Sequence, residues 1–220
     1  MTTRVYLARH GATTLSAEDR FAGSTDVGLS DDGREQARAL AERLADDPIA
    51  SVYASPMNRT QETAAIIGAP HGLEPVLRDG LREIDHGRWE GLTRAEVEQR
   101  FDGEYEAWEE DPFTFAPEGG ESGLKVMARA LPVLREIVLA HPNQTVVVVS
   151  HKATIRLLLS AVLGIDARGY RDRLDQAPAC LNGLDFKDPV RARLMLFNDI
   201  SHYAAVHRRE ARLSRWWDGK

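Results

Sequence analysis

Apolar positions along the chain fall into two regimes, short continuous runs and longer stretches spaced three and four apart. The short runs are Val5-Tyr6-Leu7-Ala8, Ile49 to Ala54 and Thr145 to Val149. Runs of this length, closed by polar or turn residues, predict strands buried on both faces, as in a parallel sheet. Between the first two, Ala37, Leu40, Ala41, Leu44 and Ala45 recur at helical spacing. Ser30 is placed to cap that helix, with Asp31 and Asp32 in its first turn, and Asp46-Asp47-Pro48 ends it. The result is a β-α-β unit, which implies a parallel pair joined by a right-handed crossover. Ser55 and Pro56 predict the start of a second helix, with Arg59 in its first turn.

Further on, Glu74 to Arg78 predicts a third short strand. The acidic and aromatic stretch 93–111, with Phe101, Tyr105 and Trp108, predicts one or two short helices outside the main sheet, followed by a loop from Pro112 to Gly120. Leu124, Met127, Ala128, Leu131, Leu134 and Val138 share one face of a long helix from Glu121 to His141, which Pro132 should kink. A strongly apolar helix, Ile155 to Leu163, follows the Thr145 strand. Ala179 to Phe186 and Arg191 to Phe197 predict two late strands, joined as a hairpin around Lys187-Asp188-Pro189. The expected fold is α/β, a three-layer sandwich. Its central sheet is mostly parallel, of about six strands with one antiparallel. Helices cover both faces, and residues 85–120 form a lid that selects the substrate. Residues 1–220 read as a single catalytic domain.

Composition narrows the function. A formal net charge of −6 argues against a nucleic-acid or anionic-membrane partner, which wants a basic face. Arg208, Arg209, Arg212 and Arg215 with Trp216 and Trp217 are therefore read as a tail packed on the body. Cys180 is the one cysteine, so no intrachain disulfide forms, which fits a reducing, cytoplasmic compartment. The N-terminal apolar run is too short for a signal or a membrane span. No zinc-type Cys/His spacing, His-Glu-x-x-His or Walker loop occurs, so neither metal nor cofactor is expected.

The chemistry lies where the predicted strands end. The first ends in Arg9-His10-Gly11, the second leads to Arg59, and the Thr145 strand ends in Ser150-His151-Lys152. Ligands of open parallel sheets bind beyond the carboxyl ends of strands. Glu83 lies in a glycine-flanked, ordered loop, Leu81 to Gly91. Each residue has a plainer alternative: a surface Arg-His pair, a surface arginine on a helix, a glutamate pairing an arginine. Their convergence argues otherwise. Two imidazoles and two guanidiniums make a phosphate pocket with a nucleophile in it. His71, His86, His141, His202 and His207 lack such placement and read as structural or solvated.

The ordered set resembles the histidine phosphatase superfamily, the phosphoglycerate-mutase-like group. The matching segments are Leu7-Ala8-Arg9-His10-Gly11, Arg20-Phe21-Ala22-Gly23, Ser55-Pro56-Met57-Asn58-Arg59-Thr60, Leu81-Arg82-Glu83-Ile84, Gly87-Arg88-Trp89-Glu90-Gly91, Pro117-Glu118-Gly119-Gly120-Glu121-Ser122 and Val149-Ser150-His151. The resemblance implies that His10 attacks phosphorus and carries it as a phosphohistidine, while Arg9, Arg59 and His151 hold the equatorial oxygens. Glu83 would protonate the leaving oxygen and then activate water. His10 must be neutral at its attacking nitrogen, so a backbone acceptor for the other nitrogen is expected. Ser16, Arg20, Gly23, Arg82 and Lys152 are the further expected substrate contacts. The chain departs from the family pattern at Ala12, where Glu is frequent, at Ser16, where Asn is frequent, and at Lys152-Ala153, which replaces Gly-Gly.

The reading is a metal-independent phosphomonoesterase acting on a small phosphorylated metabolite, as monomer or homodimer. A 2,3-bisphosphoglycerate-dependent phosphoglycerate mutase is the alternative within the family. A non-catalytic protein that binds phosphorylated ligands is the alternative of another class. Lys152 either binds a second anionic group on the substrate or is a solvent-facing lysine paired with a nearby carboxylate.

Overall fold

The protein was analysed as a computed structural model that describes residues 2–14 and 20–203. Its elements in chain order are β1 (Thr3–Arg9), α1 (Asp31–Leu44), β2 (Ile49–Ala54), α2 (Asn58–Gly68), β3 (Val76–Leu77), α3 (Arg94–Arg100), α4 (Glu104–Glu110), α5 (Gly123–Ala140), β4 (Thr145–Ser150), α6 (Lys152–Leu163), α7 (Tyr170–Arg173), β5 (Leu181–Phe186) and β6 (Ala192–Asp199). The strands form one six-stranded sheet in the order β3-β2-β4-β1-β5-β6. The β3–β2, β2–β4 and β4–β1 pairs are parallel, while β5 runs antiparallel to both β1 and β6. One strand therefore opposes the rest, as expected.

The two faces of the sheet separate by residue parity, because successive side chains of a strand point to opposite sides. Val5 and Leu7 of β1, with Val146 and Val148 of β4, pack against Leu134 and Ile137 of α5 and Ile155 and Leu158 of α6. Tyr6 and Ala8, with Val147 and Val149, pack against Leu40, Ala41 and Leu44 of α1 and Ala64 and Ile67 of α2. Burying each of these valine, leucine and isoleucine side chains contributes about 1.5–3 kcal/mol relative to leaving it exposed. The sandwich is thus written in the continuous apolar runs, which have no polar face to offer water.

Ser30 caps α1, its hydroxyl accepting from the Gly33 N–H. The start of α1 presses on the turn after β1. A Cβ on Gly11 would come within 2.3 Å of the Gly33 carbonyl, and one on Gly33 within 2.1 Å of the Ala12 carbonyl. Only glycines allow that approach. Helix α5 continues through Pro132 to Ala140.

Several boundaries differ from the sequence reading. Helix α2 begins at Asn58 with Met57 at its cap position and no side-chain cap bond. Ser55 is free of that duty and serves the site below. Helix α6 begins at Lys152, three residues before the apolar run, because His151 takes the cap position. The third strand shrinks to the two-residue edge Val76–Leu77. The late hairpin closes through the Lys187 N–H to the Arg191 carbonyl, with the Asp188 carboxylate accepting from the Val190 and Arg191 N–H groups. Ser16 and the arginine- and tryptophan-bearing tail lie outside the described residues.

The segment predicted as a lid carries its own apolar cluster. Trp89, Val97, Tyr105 and Trp108 bury themselves around Phe21 of the loop after β1. Thr93 and Glu96 form a capping box at the start of α3. Among the described residues no helix is long and apolar enough to cross a membrane.

Candidate active site

Strand register places the two histidines side by side. In the β1–β4 pair Arg9 is opposite Ser150, so His10 and His151 leave the sheet together. Their ring centroids are 5.2 Å apart at an interplanar angle of 63°. Strand β2 lies on the other side of β4, and the Ser55 N–H continues that pairing onto the Val149 carbonyl. Ser55 therefore ends beside His151, and its Oγ lies 2.8 Å from the His151 Nε2.

His10 Nδ1 lies 2.7 Å from the Gly11 carbonyl, which only a ring N–H can satisfy. That bond fixes the tautomer and leaves the lone pair on Nε2. Burial, reinforced by the charges of Arg59 and Arg9, holds the His10 imidazole well below its ordinary value near 6.5. The same causes, burial first and then Arg59, hold His151 well below it. His10 is thus a neutral base in a cationic setting at neutral pH.

Arg59, 2% exposed, is the most enclosed of the cations. Its Nε donates to His151 Nδ1 at 3.3 Å, its Nη1 to the Thr25 carbonyl at 2.8 Å and its Nη2 to the Gly23 carbonyl at 2.9 Å. The bond from Arg59 makes His151 Nδ1 an acceptor, so Nε2 carries the proton given to Ser55. Glu90 in turn shapes the carbonyls that hold Arg59. Its carboxylate accepts from the N–H groups of Gly23, Ser24 and His86 at 3.0 Å and from the Thr25 hydroxyl at 2.8 Å. Burial would raise the Glu90 pKa, but these donors outweigh it and lower it.

Glu83 reaches the same place from the loop before the insertion. Its carboxylate accepts from the Ala153 and Thr154 N–H groups at the start of α6, both at 3.1 Å. Arg129 of α5 clamps that loop. Its guanidinium donates to the carbonyls of Gly80, Arg82 and Glu83 and pairs with the Glu121 carboxylate. Glu121 also accepts from the Asp85 N–H. Arg9 completes the group, its Nη1 donating to the Gln176 carbonyl at 2.7 Å.

The model of the histidine phosphatase superfamily, branch 1, matches residues 5–200. The chain belongs to this family. It is 37% identical over 163 residues to phosphoserine phosphatase 1 of Hydrogenobacter thermophilus, covering 74% of this chain and 77% of that protein. It is also 37% identical over 169 residues to the glucosyl-3-phosphoglycerate phosphatase of Mycolicibacterium vanbaalenii, covering 74% and 75%. Bacillus stearothermophilus YhfR superposes with a TM-score of 0.85 at 30% identity, covering 91% of this chain and 98% of that one. A mycobacterial glucosyl-3-phosphoglycerate phosphatase in complex with inorganic phosphate superposes at 0.79 and 32%, covering 91% and 99%. The protein is a phosphatase of the histidine phosphatase superfamily.

Of the residues singled out in the sequence, the histidine phosphatase fold brings Arg9, His10, Arg59, Glu83 and His151 together. Gly23 takes part through its backbone. A Cβ there would fall 1.8 Å from the Ile84 carbonyl, so glycine is needed for loop 23–25 to lie against the Glu83 segment. Arg20 is engaged by the insertion, donating to the Gly91 carbonyl and pairing with Glu96. The Arg82 side chain is exposed and paired with Asp79, and only its carbonyl points inward, to Arg129 and Thr154. Lys152 lies 3.9 Å from Asp175. Sequence reasoning missed Ser55, Glu90 and Arg129. Ser55 is equally placed to cap a helix, and the contacts by which Glu90 and Arg129 shape the site reach segments 65 and 46 residues away. Among the described residues no three His, Cys, Asp or Glu side chains are grouped to hold a metal.

Proposed function

We propose that this phosphatase hydrolyses monoesters of small phosphorylated metabolites in two steps through a phosphohistidine on His10. His10 Nε2 attacks phosphorus, the N–P bond forms and the ester O–P bond breaks. Glu83, protonated, gives its proton to the departing oxygen, so the alcohol leaves neutral. Water then attacks the phosphohistidine, Glu83 takes its proton, and the N–P bond breaks to release inorganic phosphate. Arg9 and Arg59 hold the phosphoryl oxygens, where charge accumulates in the transition state, and His151 joins them through the Nε2–H that it gives to Ser55 in the free site. These cations and donors supply the charge that a metal ion would otherwise bring. The lone Cys180, buried and raised to about 12 by that burial, takes no part, and accords with a reducing, cytoplasmic setting.

The observation that carries the reading is the state of His10. Its Nδ1 is tied to the Gly11 carbonyl, its ring is held neutral, and it lies against His151 within a cationic pocket. Support for substrates of this class comes from the relatives named for phosphoserine and glucosyl-3-phosphoglycerate. The test is rapid quenching with a labelled ester. An acid-labile, alkali-stable phosphoenzyme is expected, and His10→Ala should lose turnover by on the order of 10⁴-fold while its circular dichroism is unchanged. An acid-stable phosphoenzyme, turnover retained in His10→Ala, or strict dependence on a divalent ion would each overturn the mechanism.

A further inference from the structure

A second group of cations adjoins the first at the start of α6, where the Glu83 carboxylate is held. Arg9 shares the parity of Val5 and Leu7, whose side of the sheet faces α5 and α6. Lys152 and Arg156 stand four residues apart on α6, so they share one helix face. Like charges at that spacing repel. One carboxylate, Asp175, meets both, at 3.9 Å from Lys152 Nζ and 3.3 Å from Arg156 Nη2. Arg9 is tied to the next residue, Gln176, through its carbonyl. Lys152 and Asp175 are partly exposed, while Arg156 is only 7% exposed.

This arrangement is short of acceptors. The Nε atoms of Arg9 and Arg156 are buried with no hydrogen-bond partner. An unsatisfied buried donor costs about 1–3 kcal/mol, more when charged. Burial, with Arg156 and Arg9 nearby, pushes the Lys152 ammonium down to about 7. Burial likewise lowers Arg156 to about 10. Helix packing alone gives no reason for two cations to share Asp175 while a third, Arg9, is held at the next residue. Glu83 accepts from the Ala153 and Thr154 N–H groups directly after Lys152, and its charge also acts on Arg59, so it is close to both groups. An ester whose leaving oxygen is beside Glu83 would extend its leaving group toward Lys152.

We propose that Lys152, Arg156 and Arg9 form a second anion subsite, and that the preferred substrates are doubly anionic esters carrying a carboxylate or second phosphate on the leaving group. Arg156 supplies a guanidinium fork fixed by its burial, Lys152 closes over the anion from its more exposed position, and Arg9 is shared between the two anions. The proposal rests on the phosphatase reading above and adds the class of leaving group to it.

The test is a ratio, so that general damage to the enzyme cancels. The kcat/KM for 3-phosphoglycerate and for propane-1,3-diol bisphosphate is divided by that for glycerol 3-phosphate, which offers one anion. Wild type should favour at least one doubly anionic ester by tenfold or more. Lys152→Met should cut that ratio about tenfold, equivalent to about 1.4 kcal/mol, and Lys152→Arg should keep it. Whichever ester responds shows whether carboxylate or phosphate is the second anion. A wild-type ratio near one for both, or a ratio unchanged in Lys152→Met, would overturn the subsite. Dissociation constants of the same compounds with His10→Ala protein, taken by calorimetry, give the ratio without turnover. If no ester is hydrolysed yet these constants show the Lys152-dependent preference, the phosphatase mechanism fails and the subsite stands.

Discussion

The two sides of the active site are held in different ways. On one side His10, His151 and Ser55 stand at the ends of three neighbouring parallel strands, and the sheet's own ladder brings them together. His10 is oriented by the next residue's carbonyl, a partner that no substitution removes. On the other side Glu83 stands on a loop positioned by side chains: Arg129 grips three carbonyls, and Glu121 holds both Arg129 and the Asp85 N–H. The nucleophile is therefore oriented by backbone alone, whereas the acid–base group, though its carboxylate meets the Ala153 and Thr154 N–H groups, also depends on a side-chain clamp. Single side-chain changes should loosen proton transfer while leaving phosphoryl binding in place.

The largest expected effect on the loop side comes from removing the carboxylic acid. Glu83→Gln should depress kcat by about 10²- to 10⁴-fold for alkyl phosphates and much less for nitrophenyl phosphate, whose leaving group needs no proton. Equal losses on both would take the acid role from Glu83. Arg129→Met should follow with a smaller loss, about 10- to 100-fold for alkyl esters, because it misplaces Glu83 without removing it. Its signature is the same leaving-group dependence. In a Glu83→Gln background the Arg129 change should cost little more, since both act on one step. A uniform loss across leaving groups would mean that Arg129 merely supports the fold.

Acidification should separate the sides further. His10 and His151 are held below 6.5 in the folded state, whereas in the unfolded chain they take protons near 6.5. The stability this contributes is complete above pH 6.5 and is lost as pH falls toward the folded values. His86 and His202, the latter lowered to about 4 by burial and Arg43, act in the same direction. Urea titrations at pH 7 and pH 5 should show the wild type losing up to about 2 kcal/mol per histidine. His202→Asn should lose less than the wild type. The acid limb of kcat/KM should lie below 6.5, which a pH profile checks.

The smallest effect concerns Lys152. Its folded value, about 7, lies below the ordinary 10.5, so stability is lost as pH falls from 10.5 toward 7. Lys152→Met should therefore be more stable than the wild type at pH 7, by about 1 kcal/mol or a few degrees in Tm. The gain should vanish above pH 10.5. A loss of stability at pH 7 would show that the lysine serves packing and its Asp175 pair rather than a ligand.

The sequence by itself determined the sandwich and its chemical groups. Runs such as Thr145 to Val149 have no polar face, so they had to become central strands, and whatever follows such strands had to gather at one edge. Arg9, His10, Arg59 and His151 were legible for that reason. Only the tertiary structure decided the supports. Ser55 could cap a helix or meet His151, and the register of β2 on β4 chose. Arg82 and Arg129 are both arginines near acids, yet the loop turns one to Asp79 and solvent and lets the other grip the Glu83 segment from α5. Glu90 and Arg129 act across dozens of residues of chain. Arg156 reads as one polar residue in an apolar helix until the fold sets it beside Lys152 and Asp175. Local pattern records what a residue's neighbours in sequence require, whereas an ion pair or a carbonyl clamp is specified by the approach of segments that share no local pattern.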